Sequence, residues 1–228
     1  MELATNIFLL LLGISILVWG ANKFVDHASV IAKHMGISDL VIGLTLIAFG
    51  TSAPEIFVGI SSIINQNEEI ALGTAIGSNI SNIALIFGVS CLYLTGPSKT
   101  QLWNLLPFGL SVALLGLTLA DGSISFNESM GFIGILMIFM FVLFKTDGLT
   151  EEDSADSNEF GRSLFMSLIG LIALIAGANI AVIYAENTAL LLGVPKLIIG
   201  LTIIALGTSL PELAATVVAL RKGRHQMV

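Results

Sequence analysis

Long apolar runs alternate with short polar breaks along the whole chain. A bilayer core needs about 20 mostly apolar residues per helix. Seven stretches reach that scale: roughly 5–24, 37–64, 70–95, 102–120, 128–145, 162–189 and 196–220. Polar or acidic breaks separate them, among them "NQNEE" (65–69), "GPSKT" (96–100), "DGSISFNE" (121–128) and "TDGLTEEDSADSNEFGR" (146–162). The last is the only long one. The pattern predicts an all-α polytopic membrane protein of about seven transmembrane helices. It divides into a first transmembrane half over 1–145, an acidic linker over 146–161 and a second half over 162–228. The run Ile7–Val18 has no basic region before it and no small-residue cleavage site after it, so it reads as the first span and not as a signal peptide.

Composition points to the same solvent. The chain is 55% hydrophobic and 11% charged, with mean hydropathy +0.97, where soluble domains carry about 25% charged residues. That much apolar surface cannot be hidden from water in a fold of this size, so the lipid bilayer is the partner. The formal charge of -7 and the lack of a basic, aromatic-rich stripe exclude nucleic acid. The single cysteine, Cys91, allows no internal disulfide.

Basic residues set the orientation. Lys23 and Lys33 follow the first span, Lys99 the third, Lys145 and Arg162 flank the linker, and Arg221, Lys222 and Arg224 follow the last. With seven crossings these all fall on one side, and only Lys196 falls on the other. That side is the cytoplasm, which places the N-terminus outside and the C-terminus inside.

A segment of the second span recurs. "GLTLIAFGTSAPE" (43–55) and "GLTIIALGTSLPE" (200–212) share ten of thirteen positions at an offset of 157 residues. The same offset pairs "GAN" at 20–22 with "GAN" at 177–179, and Gly36 with Gly193. Apolar coincidence does not also align Thr, Ser, Pro and Glu. Five spans apart, the two copies run in opposite directions, the inverted repeat found in many secondary transporters.

The motif has its own chemistry. Pro54 and Pro211 lack an N–H and so deprive the carbonyls of Gly50 and Gly207 of their helical partners. Broken backbone at membrane depth is tolerated only where protein buries it or water reaches it. Thr51 and Ser52 lie one turn before Glu55 and share its face, and Thr208 and Ser209 stand likewise to Glu212. Hydroxyls, carbonyls and carboxylates are hard oxygen ligands of the kind Ca²⁺ takes in sixes to eights. A charge at the centre of a membrane helix costs about 2.5–3.5 kcal/mol on insertion scales. No Lys or Arg lies at membrane depth to offset it, since Lys23, Lys145, Arg162 and Lys196 all fall at span ends, so a bound cation or a proton must. In the third span, "GTAIGSNISNIALIFG" (73–88) sets Ser78 and Asn82 on one face, where Asn82 suits either a ligand or an interhelical hydrogen bond. Gly73 and Gly77 read as packing, Asp26 and Glu128 as solvated. Ser52 and Ser209 are weak candidates for an enzyme nucleophile, since no midplane His or Lys serves as base.

Two copies of G-[TS]-S-x-P-E, with G-S-N-x-x-N after the first, resemble the sodium/calcium exchanger family of cation/calcium antiporters. The resemblance implies ten spans in two inverted halves and exchange of Na⁺ for Ca²⁺ by alternating access. It implies no cofactor, the ions being cargo. By it, Glu55 and Glu212 would be the central Ca²⁺ ligands, with Thr51 and Thr208 beside them. Ser52, Ser209 and Ser78 would line flanking Na⁺ sites, helped by carbonyls near Ala48 and Ala205, and Asn82 would complete the first-half set. The chain departs from the family by ending after the second motif, an incomplete inverted-repeat exchanger fold lacking three spans. A fragment, a truncated gene or a second chain supplying the missing helices would each account for that. A H⁺-driven Ca²⁺ antiporter and a non-transporting subunit stand as alternatives.

Overall fold

The computed structural model describes residues 2–64, 66, 68–93, 106–120, 125–147, 157–194 and 205–227. Lys196, residues 200–204 of the second motif copy and linker residues 148–156 lie outside these. The chain forms two compact units, Met1–Leu94 with Glu151–Val228, and Thr95–Thr150.

The smaller unit is a pair of packed helices, α7 (Leu106–Ala120) and α8 (Phe126–Asp147). Ser125 and Glu128 start α8 with a capping box. The Ser125 backbone N–H and hydroxyl both donate to Glu128 Oε2 at 2.7 Å, and the Glu128 N–H donates to Ser125 Oγ at 3.3 Å. Glu128 thus closes a helix end, a role beyond the solvation expected of it.

The larger unit is organised by two long helices, α1 (Glu2–His34) and α9 (Ser157–Leu191). They pack along their length through glycines that bring backbone against backbone. A Cβ on Gly13 would lie 2.7 Å from the amide N of Ala181, and one on Gly170 would lie 2.6 Å from that of Phe24. Gly20 and Gly177 sit equally tight against the backbones of Leu174 and Leu17. Partner numbers fall as position numbers rise, so the helices run antiparallel. The offset of 157 carries Gly13 onto Gly170 and Gly20 onto Gly177, and Ala181 and Leu174 onto Phe24 and Leu17. The seam therefore maps onto itself when the halves exchange places. Such close approach suits lipid, where association rests on van der Waals packing and small residues. Phe24, Val25, Ala28 and Leu174 lie buried along it.

The repeat also appears in backbone conformation. Among the described residues, four have left-handed φ: Gly36 (62°), Gly193 (78°), Gln66 (59°) and Gly223 (72°). They form two pairs, each 157 residues apart. Gly36 and Gly193 end α1 and α9 with the same paired bonds, Ile37 N–H to the Ala32 carbonyl at 2.8 Å and Val194 N–H to that of Ala189 at 2.9 Å.

Between α1 and α9 in sequence, the second span is broken. Ser38 caps α2 (Asp39–Ile42), and a π-helical turn (Gly43–Ile47), α3 (Ala48–Thr51) and α4 (Ala53–Ile64) follow. The bend between Asp39–Thr51 and Ala53–Ile60 is 51°. Then come α5 (Glu68–Ser81), a second π-helical turn (Asn82–Phe87) and α6 (Gly88–Tyr93). Short α10 (Ala205–Gly207), α11 (Leu210–Arg221) and a 3-10 turn (His225–Met227) close the chain. The 3-10 turn seats the Met227 backbone against Gly43, 2.7 Å from where a Cβ would stand. Four stretches among the described residues are long and apolar enough to cross a bilayer, namely Glu2–His34, Ala71–Leu92, Phe126–Lys145 and Glu159–Leu191. The bent pair makes a fifth if counted as one span, and Leu106–Ala120 is apolar but shorter. No described residue lies within 4 Å of a Cβ built on Gly73 or Gly77, so the described structure gives no packing contact for either.

Candidate metal centre

Both motif copies break at the same residue with the same geometry. Ser52 has φ −83° and ψ 6°, and Ser209 has φ −91° and ψ 7°. These angles fall in the bridge region between helix and strand, where active-site residues are often found. The break lies two residues before each proline, because the ring clashes with the turn behind it. Helices α4 and α11 then restart with Glu55 and Glu212 in their first turns. Partial positive charge at a helix start favours an anionic side chain there.

The two copies meet. Ser52 Oγ donates to Glu212 Oε1 at 2.9 Å, across 160 residues of sequence. Pro54 and Glu55 from the first copy and Gly207, Thr208 and Pro211 from the second line one cavity of about 250 Å³. The π-helical turn beginning at Asn82 packs on α11, which brings the third span's polar segment to the second motif. Thr51 is buried, and its hydroxyl donates to the carbonyls of Ile47 at 3.0 Å and Ala48 at 3.3 Å. With the proton so engaged, the Thr51 oxygen keeps lone pairs for a cation. Ser78 Oγ donates to the Ala75 carbonyl at 3.4 Å, beside Asn79 Nδ2 at 2.7 Å from the same oxygen.

What marks the centre is unmet acceptor capacity. Glu55 Oε1 and Oε2, Glu212 Oε2, Asn82 Oδ1 and the hydroxyls of Ser209 and Ser81 are all buried without a hydrogen-bond partner. Buried polar atoms are nearly always paired, and leaving one unpaired costs about 1–3 kcal/mol, more for charged groups. Among the described residues the ion pair is Lys222–Asp26, far along α11 from Glu212, so no cationic side chain answers the two carboxylates. No group of three or more His, Cys, Asp and Glu occurs among the described residues either. The donor set is hydroxyl, amide and carboxylate oxygen, which fits a hard cation and not zinc.

The chain matches the sodium/calcium exchanger protein family over residues 5–145 and 162–228. It belongs to that family. It is 35% identical over 237 residues to the putative antiporter CaxA of Alkalimonas amylolytica, covering 99% of this chain and 74% of that protein. It is 33% identical over 271 residues to the sodium/calcium exchanger MaX1 of Methanosarcina acetivorans, covering 97% and 76%. Among solved structures, the sodium-calcium exchanger NCX_Mj soaked with Na⁺ superposes with a TM-score of 0.84 at 30% identity, covering 99% of this chain and 76% of that one. The fold is thus that of a helical membrane exchanger. The chain spans about three quarters of the length of these relatives.

Four residues near the motifs do what their sequence positions did not announce. Ser81 Oγ joins the orphaned oxygens, though its position inside G-S-N-x-x-N gave no sign of that. Thr74 and Asn179 line the cavity. Asn179 stood in the repeated "GAN", where its polarity beside a membrane-depth motif was the available signal. Asp26, expected to be solvated, pairs with Lys222 at 2.7 Å while still partly exposed.

Proposed function

We propose that this exchanger-family chain carries Ca²⁺ against Na⁺ across a membrane by alternating access at the Glu55–Glu212 centre. The observation that carries the reading is the set of orphaned carboxylate oxygens of Glu55 and Glu212, held near one another and answered by no cationic side chain among the described residues. Glu55 and Glu212 are its Ca²⁺ ligands, with Thr51 and Thr208 beside them. Ser52, Ser209 and Ser78 serve flanking Na⁺ positions, and Asn82 completes the first-half ligand set. The mapping of the α1–α9 seam onto itself supports two facing states related by exchange of the halves. The clustering of basic residues supports a cytoplasmic C-terminus and an outward N-terminus, and bacterial and archaeal relatives support a prokaryotic cell membrane.

The test is ⁴⁵Ca²⁺ uptake into vesicles under an outward Na⁺ gradient with the pH gradient collapsed. Uptake that is lost in Glu55→Gln and in Glu212→Gln supports the reading. Uptake that follows a pH gradient and ignores Na⁺ would replace Na⁺ by H⁺ as the driving ion. Uptake unchanged in both variants would remove the centre from transport altogether.

A further inference from the structure

We propose that Asn179, together with Thr74, forms a staging subsite that takes a partly hydrated alkali or alkaline-earth cation on its way to Glu55. The inference rests on the exchange reading above. The cavity beside Glu55 draws on α4 only from Pro54 to Val58, and on α5 at Thr74, one turn before Ser78. It therefore lies on the side of Glu55 that faces the α4–α5 turn, the outer side in the proposed orientation. From α9 it takes Ile175, Ala178, Asn179 and Val182, so Asn179 supplies the only side-chain oxygen that helix gives it. Asn179 is exposed and its amide has no hydrogen-bond partner among the described residues. A cation entering a largely apolar cavity must exchange water for other oxygens, and a neutral amide and a hydroxyl at the wall allow that exchange in steps.

The repeat supplies the comparison. An offset of 157 carries Asn179 onto Asn22. There the same side chain is engaged: Asn22 Nδ2 donates to the Val18 carbonyl at 2.8 Å. Of the neighbours corresponding to Ala178 and Val182, Ala21 is buried as Ala178 is, while Val25 is fully buried where Val182 is half-buried. The Asn22 carbonyl accepts from Lys222 Nζ at 3.4 Å, and Lys222 pairs with Asp26. One asparagine lines an open cavity while its repeat counterpart is bonded to its own helix beside the Lys222–Asp26 pair. That is the difference a staging residue shows between the open and closed sides of a central site.

The native chain has one cysteine, Cys91, so a Cys91→Ser background admits a single reporter. In vesicles, Asn179→Cys should react with a membrane-impermeant cationic thiol reagent from the side of the α4–α5 turn, and Ca²⁺ should slow that reaction several-fold. Asn22→Cys should react far more slowly from the same side. Asn179→Ala should raise the Ca²⁺ needed for half-maximal uptake from that side about fivefold, the scale of one lost neutral ligand. The opposite side should be unaffected, which general damage to the fold would not produce. An unreactive Asn179→Cys, or one whose rate ignores Ca²⁺ while Ca²⁺ still binds, overturns the proposal. Glu55-dependent ⁴⁵Ca²⁺ binding to the Cys91→Ser protein separates the two readings. If that binding is absent, exchange at Glu55 fails and staging with it. If it is present and Asn179 is unprotected, staging alone fails.

Discussion

Two serines with the same backbone angles have different bonding. Ser52 donates across to Glu212, while the Ser209 hydroxyl is buried with no partner. Removing the Ser52 hydroxyl leaves a buried carboxylate oxygen without its donor, and hydrogen bonds to charged groups are worth about 1.5–3 kcal/mol. Ser52→Ala should therefore lower the melting temperature of the metal-free protein clearly, and Ser209→Ala should change it little. Equal shifts in a detergent thermal scan would show that the asymmetry has no energetic weight. At this scale the sequence was informative where the motif repeats. Glu55, Glu212, Ser52 and Ser209 were legible because two copies of one pattern do not arise by chance. The asymmetry between them was not, since identical motifs predict identical bonding and the difference comes from surroundings distant in the chain. Asn179 was hidden for the same reason: 124 residues separate it from Glu55, the carboxylate it shares a cavity with.

Among the elements, the bend in the second span was predictable from Pro54, and it falls at Ser52 because a proline ring disturbs the turn behind it. The α1–α9 seam was not legible. Its glycines recur seven apart in both helices, yet seven is also an ordinary spacing along one helical face, and only the partner's backbone gives it meaning. At Gly20 and Gly177 there is no room for a side chain, because backbone and not a flexible tip stands opposite. Gly20→Leu or Gly177→Leu should thus cost several kcal/mol, in the upper range for overpacked cores, and abolish the monodisperse peak in size-exclusion chromatography. Gly59→Ala, in α4 with no described residue within 4 Å, should be neutral or add about 0.5–1 kcal/mol of helix stability. Similar elution of all three variants would mean that the seam is not held by close approach.

For the whole molecule, a ligand that binds only the folded state stabilises it by mass action, about 2.7 kcal/mol at a hundred times its dissociation constant. Ca²⁺ should raise the melting temperature of the unmodified chain, and that increment should vanish in Glu55→Gln. A rise that survives the substitution would place the ion elsewhere. The Lys222–Asp26 pair is partly exposed, so Asp26→Asn should cost no more than about 1 kcal/mol of stability. Its effect should appear instead as faster thiol labelling of Asn22→Cys, since the pair and the Asn22 carbonyl hold that end together; unchanged labelling would leave the pair without a part in closure. The pair has no counterpart in the other half, where the offset puts Asn65 and Ile183. The glycine joint between α1 and α9 looks identical from either end, so by itself it cannot prefer one facing of the protein over the other. Any resting bias must come from what the two ends do not share, and a single lysine touching one helix end is the scale of device that would set it. Two nearly level wells are what a carrier needs if ion gradients, and not the protein's own strain, are to choose the direction of travel.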